Sequence, residues 1–414
     1  MKRRIVITGV GLVTPLGIGA EETWQAICAG KSGIGEITRF DATHHATKIA
    51  GEVKDFRNED FLSAKEAKRT ERFISYAIAA TRMAIDDSGL VINTSNGDRV
   101  GVITGCGLGG LGLMERTIVK VNQNGPRRVT PFFIPLMIGN MAAGMISIHF
   151  GAKGPNSSLA TACAAGTHAI GEAFRAIQTG AADAMIAGGV ESTITPTCVA
   201  GFNAMKALST RNDAPQKASR PFERDRDGFV VGEGGGILIL ETLEDALKRD
   251  AHIYAELCGL GMSGDGYHMT SPSPDGDGAV RCMQAALDDA DITYDMIDYI
   301  NAHGTSTPLN DLYETRAVKE VFKDRAHSLA ISSTKSMTGH LLGGAGGIET
   351  VFTALTIHDG IIPPTINHDH PGDECNLDYV PNVARKAEVK YAMSNSFGFG
   401  GTNGSLVLKA YEDN

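Results

Sequence analysis

Ser158, Leu159, Ala160, Thr161 and Ala162 lead into Cys163, and Ala164, Ala165, Gly166, Thr167 and His168 follow it. The apolar run predicts a strand over Ser158–Ala162. The small residues after it predict a helix over 164–179. Cys163 then sits on the elbow between them, facing the partial positive charge of a helix N-terminus. That field favours thiolate, the nucleophilic form of cysteine. The neighbouring alanines and Gly166 leave room for a thioester to approach. A buried structural thiol is the competing reading of the same residues. Cys28, Cys106, Cys198, Cys258, Cys282 and Cys375 lack the elbow and are read as structural.

Three further segments carry reactive groups. Asn301, Ala302, His303, Gly304, Thr305, Ser306 and Thr307 follow an apolar run. His303 is therefore expected at a strand end, where α/β folds bind ligands, with two threonine hydroxyls beside it. A lone histidine in such a place is more often simply hydrogen-bonded structure. Lys335 and His340 lie in a glycine-rich turn, with Glu349 on the helix that follows. Phe397, Gly398, Phe399, Gly400 and Gly401 alternate rings with glycines, which leaves backbone N–H groups open to a ligand.

Elements that position these groups are legible as strand–turn–helix repeats, an α/β pattern. Strands are expected at Arg4–Thr8, Val100–Thr104, Ala184–Ala187 and Gly236–Leu240. A helix is expected at Arg72–Ser88, where Phe73, Tyr76, Ala77, Ala80, Met83 and Ala84 recur at helical spacing. Beyond residue 250 the order restarts, with strands at Ile253–Leu257, Met296–Asn301, Leu329–Ser332 and Gly404–Leu408 and a helix at Ile348–His358. Two topologically related halves, 1–250 and 251–414, are the expected organisation, with Cys163 in the first and His303 and His340 in the second.

A formal net charge of -10 gives the chain no general attraction to nucleic acid or anionic lipid. Seven scattered cysteines without a CxxC pair fit a reducing cytoplasm better than a disulfide framework. Met1 to Arg4 followed by Ile5–Val13 imitates a signal peptide, but Thr8, Gly9 and Gly11 interrupt the apolar stretch and favour a strand. Val129–Ala152 has no charged residue and the length of a membrane span. Pro135, Asn140, Ser147 and His149 favour a buried core or interface helix instead.

Gly105, Gly107 and Gly110 fit GxGxxG after a strand. A dinucleotide site also needs an acidic residue ending the next strand, and Met114–Arg128 offers no such strand. His368, Asp369, His370, Asp373, Glu374 and Cys375 are metal-ligand types, but their Pro/Gly/Asp-rich context reads as a solvated turn.

Taken together, the Cys163 elbow, the His303–Thr307 run, the Lys335–His340 turn and the Gly/Phe run resemble the β-ketoacyl-[acyl carrier protein] synthases, thiolase-like condensing enzymes. The resemblance extends along essentially the whole chain. Gly125–Pro135 and Ser263–Pro272 are closer to the synthase II branch than to synthase I. A Cys–His–His set departs from synthase III, which pairs cysteine with histidine and asparagine. Thiolases need a second catalytic cysteine, and none is evident.

The resemblance implies a five-layered αβαβα thiolase-like fold, usually a homodimer. It implies acyl loading on Cys163, malonyl decarboxylation with His303 and His340 as N–H donors to the enolate, and Lys335 as electrostatic support with Glu349 as a partner. The backbone N–H groups of Cys163 and Phe399 are implied as the oxyanion site. Thr305 and Thr307 are implied to line the tunnel of the phosphopantetheine arm, and Leu108, Phe133 and Phe397 to border the acyl pocket. No metal, nucleotide or redox cofactor is implied. The partner implied is an acidic acyl carrier protein, with Lys65, Lys68, Arg69, Arg127, Arg128 and Lys206 matching the family's docking positions. A stand-alone polyketide-type synthase and a non-catalytic chain-length-factor-like subunit are the alternatives; the second usually lacks the cysteine.

Overall fold

The computed structural model describes residues 3–412. An 11-stranded sheet runs through the molecule. Ten of its strands carry the architecture: β1 Ile5–Thr14, β2 Val100–Gly105, β3 Asn156–Leu159, β4 Ala184–Glu191, β5 Gly234–Thr242, β6 Ala255–Gly264, β7 Tyr299–Asn301, β8 Ala330–Ser332, β9 Tyr391–Gly398 and β10 Thr402–Lys409. The first five lie in the order β3-β2-β4-β5-β1, and the second five in the order β8-β7-β9-β10-β6. The two orders are the same once each set is numbered from its own first strand. The senses match too: β2 is parallel to β3 and β4, while β5 is antiparallel to β4 and β1. In the second set β7 is parallel to β8 and β9, while β10 is antiparallel to β9 and β6. The two sets join where Ile5–Ile7 pairs with Ala255–Leu257.

Six helices complete the layers: α1 Arg72–Ser88, α2 Met141–Phe150, α3 Ala165–Gln178, α4 Asp277–Ala290, α5 Pro308–Phe322 and α6 Ala345–Asp359. Strand alternation distributes the side chains between layers. Met185, Ala187, Leu238, Leu240, Leu406 and Leu408 point to a central core with α3 and α6. Ile186, Val190, Ile237 and Ile239 point the other way, to α1 and α2. Met393 and Val407 meet the outer helices α4 and α5. Helices therefore cover both outer faces and fill the middle, which is the αβαβα order.

The central pair is built to be buried on every side. Residues Ala345 to Ile357 of α6 are all buried. Its threonine hydroxyls return to the helix itself: Thr350 donates to the Gly346 carbonyl at 2.7 Å and Thr353 to Glu349 at 2.7 Å, so no hydroxyl is left costly in the core. Close crossing of α3 and α6 needs glycine, because a Cβ at Gly166 would lie 2.7 Å from the Gly347 nitrogen. Ile348→Ala, at 0 % exposure, would remove packing from both neighbours and cost about 2–5 kcal/mol.

Several expected boundaries move. β1 runs ten residues, past the expected end at Thr8. Gly9 and Gly11 interrupt its apolar pattern because α1 lies against them: a Cβ there would come 2.2 Å from the Ala84 oxygen and 1.9 Å from the Ala80 oxygen. Met1 and Lys2 lie outside the described residues. The strand before Cys163 ends at Leu159 rather than Ala162, and the strand before His303 begins at Tyr299 rather than Met296, which closes a turn of 3-10 helix. β6 starts at Ala255, not Ile253, and extends to Gly264.

Val129–Ala152 is not one buried helix. It breaks into Phe133–Met137 and α2, with Phe132, Ile134, Ile138 and Ile148 exposed. Among the described residues no helix is long and apolar enough to cross a membrane. The His368–Cys375 segment is only partly solvated: His368 and Cys375 are buried, His368 against the Pro221 carbonyl, while His370, Asp373 and Glu374 are exposed.

Candidate active site

Cys163 stands on a turn of 3-10 helix, Ala162–Ala164, between β3 and α3. Ala162 takes a left-handed φ of 49° to make this corner. The second set of elements repeats it. After β8, a short helix Lys335–Thr338 and Gly339 lead to His340, and Leu342 turns at φ 50° into the 3-10 turn 342–344 and α6. His340 is pinned by its backbone: its N–H donates to the Val230 carbonyl at 2.7 Å, and its carbonyl accepts from the Gly232 N–H at 2.8 Å.

His303 lies just beyond the end of β7. Its N–H donates to Glu314 Oε1 at 2.8 Å and the Gly304 N–H donates to Oε2 at 2.7 Å. The bidentate carboxylate fixes the backbone that carries the ring. The imidazoles of His303 and His340 meet edge to face, centroids 5.3 Å apart. Phe397 packs on His303 at 5.7 Å and Phe229 on His340 at 5.4 Å. One ligand atom from each of Cys163, His303 and His340 lies within 4.8 Å of the others.

The electrostatics follow from burial. Both imidazoles are held well below 6.5, first by desolvation and then by the Lys335 charge. They are therefore neutral at pH 7, each able to donate one N–H. Burial also pushes the Cys163 thiol up to about 11, against the pull of Lys335 and of the Phe399 backbone N–H. Burial thus opposes the thiolate that the elbow position favours. Lys335 Nζ and Glu349 Oε1 form an ion pair of 2.5 Å, each side chain 1 % exposed. Burial raises the Glu349 carboxyl to about 7, with Lys335 opposing.

A cavity of about 580 Å³ opens onto this cluster. Leu108, Thr305, Thr307, Phe397, Phe399 and Lys206 line it together with Cys163, His303 and His340. Thr305 Oγ1 and Thr307 Oγ1 are 2.9 Å apart. Phe133, on the short helix outside, does not line the cavity of this chain. The six basic residues are all exposed. Arg69 lies over the Phe132 ring at 5.3 Å, which brings the Lys65–Arg69 stretch to the Arg127–Phe133 stretch. Lys206 is at the cavity itself.

Phe399 precedes Gly400 and Gly401, at φ 84° and 69°. A facing loop holds this turn: the Gly400 N–H donates to the Met269 carbonyl at 2.8 Å, and the Asp265 N–H to the Gly401 carbonyl at 2.8 Å. Gly105–Gly110, which fits a nucleotide fingerprint, instead wraps the buried carboxylate of Glu191 with the N–H groups of Gly107, Leu108 and Gly109.

Glu314 and Glu191 escape a reading of motifs. Glu314 had a signal: with Asp311 and Val318 it sits on the buried stripe of α5, where a carboxylate needs a reason. Glu191 had a weaker one, as a charge ending the otherwise apolar strand β4.

Known proteins resemble this chain along its whole length. Residues 2–246 match the β-ketoacyl synthase N-terminal domain and residues 254–369 the C-terminal domain. The chain is 54 % identical over 411 residues to a 3-oxoacyl-[acyl-carrier-protein] synthase 2 of Synechocystis, covering 99 % of each. It is 54 % identical over 412 residues to the Coxiella burnetii protein of the same name, covering 100 % of each. A β-ketoacyl synthase from Burkholderia phymatum superposes with a TM-score of 0.91 at 35 % identity. A type II polyketide ketosynthase, solved in complex with its acyl-carrier protein, superposes with a TM-score of 0.92 at 36 % identity. Both structures cover 100 % of this chain and are covered to 100 % by it.

Proposed function

The chain belongs to the β-ketoacyl synthase family, and we propose that its pocket divides the family's reaction among Cys163, His303 and His340. The reaction is the decarboxylative condensation of malonyl carrier with an enzyme-held acyl chain, the elongation step of fatty acid synthesis. The enzyme is an acyltransferase. Full-length identity of 54 % to synthases of type 2, against 36 % to the polyketide ketosynthase, favours this over the polyketide reading.

In the first half-reaction the Cys163 sulfur attacks the carbonyl of an acyl thioester. The tetrahedral oxyanion accepts from the N–H groups of Cys163 and Phe399. Collapse forms the acyl–Cys163 thioester, and the carrier thiol departs with the proton. Because the Cys163 proton is held up to about 11, its removal accompanies attack, with the Lys335 charge stabilising the developing thiolate.

In the second half-reaction malonyl thioester loses CO2, and the electron pair of the broken bond becomes an enolate. Two neutral imidazoles donating N–H to the enolate oxygen are what this step needs, and Lys335 keeps both rings neutral by raising the cost of a second positive charge. The enolate carbon attacks the acyl thioester, a carbon–carbon bond forms, and the Cys163 sulfur leaves and takes up a proton. Thr305 and Thr307 offer hydroxyls to the polar phosphopantetheine arm. Leu108 and Phe397 border the acyl chain.

The same reading extends to the partners. An acidic acyl carrier protein docks on Lys65, Lys68, Arg69, Arg127, Arg128 and Lys206. Two copies of the chain pair through the exposed apolar residues of 111–150, where Ile118, Val119, Phe132, Ile134 and Ile148 lie, which places Phe133 against the partner's acyl pocket. The repeated strand order supports two halves, 1–250 and 251–414. The enzyme works in the cytoplasm without added metal or redox cofactor.

The observation that carries this reading is the convergence of one thiol and two neutral imidazoles at a cavity wall. Reconstitution with acyl carrier and malonyl carrier alone tests it. Equal amounts of CO2 and β-ketoacyl carrier support it; CO2 without product, or a requirement for an added metal, removes it.

A further inference from the structure

Glu191 ends β4 at 0 % exposure, beside the active cavity and without a catalytic task in the reaction described. The hydrogen bonds to its carboxylate come from four backbone N–H groups and one thiol. The Gly107 N–H donates to Oε2 at 2.7 Å, the Leu108 N–H at 3.2 Å and the Gly343 N–H at 3.3 Å. The Gly109 N–H donates to Oε1 at 3.2 Å and the Cys106 thiol at 3.6 Å. After burial, the largest influences on it are these N–H and thiol donors. Three successive N–H groups curled round one carboxylate form an anion-holding nest.

The carboxylate also explains the glycine at 107, where a Cβ would lie 2.8 Å from Oε2; one at Gly343 would lie 2.3 Å from the Gly107 nitrogen and 2.9 Å from Oε2, so the two turns and the carboxylate are packed on one another. Gly107 belongs to the turn after β2, and Gly343 to the elbow beside His340. One side chain therefore ties the lip that carries Leu108, a wall of the cavity at Cys163, to the second elbow.

We propose that Glu191 is a positioning and specificity-determining residue: its carboxylate fixes the Leu108 lip, and a fixed lip is what lets a long acyl chain enter beside Cys163. This rests on the reading of Cys163 as the acylated nucleophile. A loose lip has to be ordered by each chain that passes it, and that cost falls on long chains. Short chains end near the sulfur and do not meet it.

The ionised state matters because a protonated carboxyl would add an O–H donor to a ring of donors. Burial raises Glu191 to about 7 against the pull of its N–H donors, so a looser lip is expected as pH falls through that value. The thiols facing it stay protonated across this range: Cys106 is pushed well above 9, Cys163 to about 11 and Cys198 to about 12. His340, next to the Gly343 elbow, stays neutral. Glu314 and Glu349 also lie near 7, but they act on the His303 backbone and on Lys335. They change short-chain and long-chain loading alike, so the ratio of the two isolates Glu191.

The test is the rate of Cys163 acylation from hexanoyl and hexadecanoyl carrier, read by mass spectrometry at several pH values between about 6 and 8. In the parent the long-to-short ratio should rise with a midpoint near 7. In Glu191→Gln it should be flat with pH and about tenfold below the parent ratio at the high end, the scale of one lost charge-assisted hydrogen bond. Glu191→Asp, which keeps the charge, should keep a pH-dependent ratio. If Glu191→Gln does not fold, Gly107→Ala displaces the carboxylate and should lower the ratio in the same way. A parent ratio flat in pH, or the parent ratio retained in Glu191→Gln or Gly107→Ala, overturns the proposal. Acylation of the parent at a residue other than Cys163 is a separate outcome. It removes the underlying reading, and the proposal with it.

Discussion

Ala162 and Leu342 occupy the same corner in the two halves of the chain, each with left-handed φ, 49° and 50°. Each is the first residue of the 3-10 turn that leads into a central helix, α3 or α6. A non-glycine residue held there costs roughly 1–3 kcal/mol and persists only where packing enforces it. The first corner presents Cys163. The second follows His340 by two residues and presents the Gly343 N–H to Glu191. One backbone device, used twice, thus brings the thiol and one imidazole to the same wall.

His303 and His340 are assigned as donors to the enolate oxygen. Losing one oxyanion donor costs roughly 10²–10³ in rate. His303→Ala and His340→Ala should each slow malonyl decarboxylation by about that factor, while Cys163 still accepts some acyl chain. Decarboxylation at the parent rate in either variant removes that histidine from the role.

The burial of the same rings predicts a pH effect on stability. Their pKa values lie below 6.5 in the folded protein. Below that value the unfolded chain binds protons that the folded rings refuse. Stability therefore falls as pH drops, by up to about 1.4 kcal/mol per pH unit for each ring, and above 6.5 the rings contribute nothing. Glu191, Glu314 and Glu349, raised to about 7, act in the opposite sense over part of the same range. Comparison with His303→Asn separates the two. Denaturant unfolding between pH 6.5 and 5.5 should show the variant losing about 1 kcal/mol less than the parent; equal losses would mean the ring is solvated.

Docking is predicted to be electrostatic. Reversing charge at Arg127 and Arg128, or at Lys65, Lys68 and Arg69, should weaken reaction with acyl carrier, and salt should shrink the difference. Acyl-pantetheine analogues should react almost unchanged. Equal losses with both substrates would mean these residues support the fold.

How much of this was legible beforehand depends on the range of the interaction. Apolar alternation and glycine-bounded turns are local, so α1 and the core strands are visible in the sequence, as are the elbow cysteine and the two histidines. β1 runs beyond Thr8 because Gly9 and Gly11 answer to the backbone of α1, a contact far along the chain. Glu314 and Glu191 were missed because a carboxylate that binds only backbone N–H groups has no partner motif to find. Phe133 was placed by resemblance, and a single chain leaves it outside the cavity.

Phe399 is predicted to gate the pocket. Its ring lines the cavity with Cys163 and lies 6.4 Å from Phe202, on a turn whose next two residues are glycines. An acyl chain is expected to displace the ring, so that malonyl carrier meets a complete site only after loading. Phe399→Ala should raise CO2 release relative to β-ketoacyl product, about tenfold for a gate of roughly 1.4 kcal/mol. An unchanged ratio in a variant with an unchanged melting temperature leaves Phe399 its backbone role alone.

The claim on which everything else depends is that the acyl chain is held on Cys163. Peptide mass spectrometry after incubation with acyl carrier should find one acyl group on the peptide containing Cys163. Addition of malonyl carrier should discharge it as β-ketoacyl carrier. Cys163→Ala should show no adduct and no condensation, yet still release CO2 from malonyl carrier, because the imidazoles remain. An adduct on another cysteine, an adduct that malonyl carrier does not discharge, or condensation by Cys163→Ala would contradict the account.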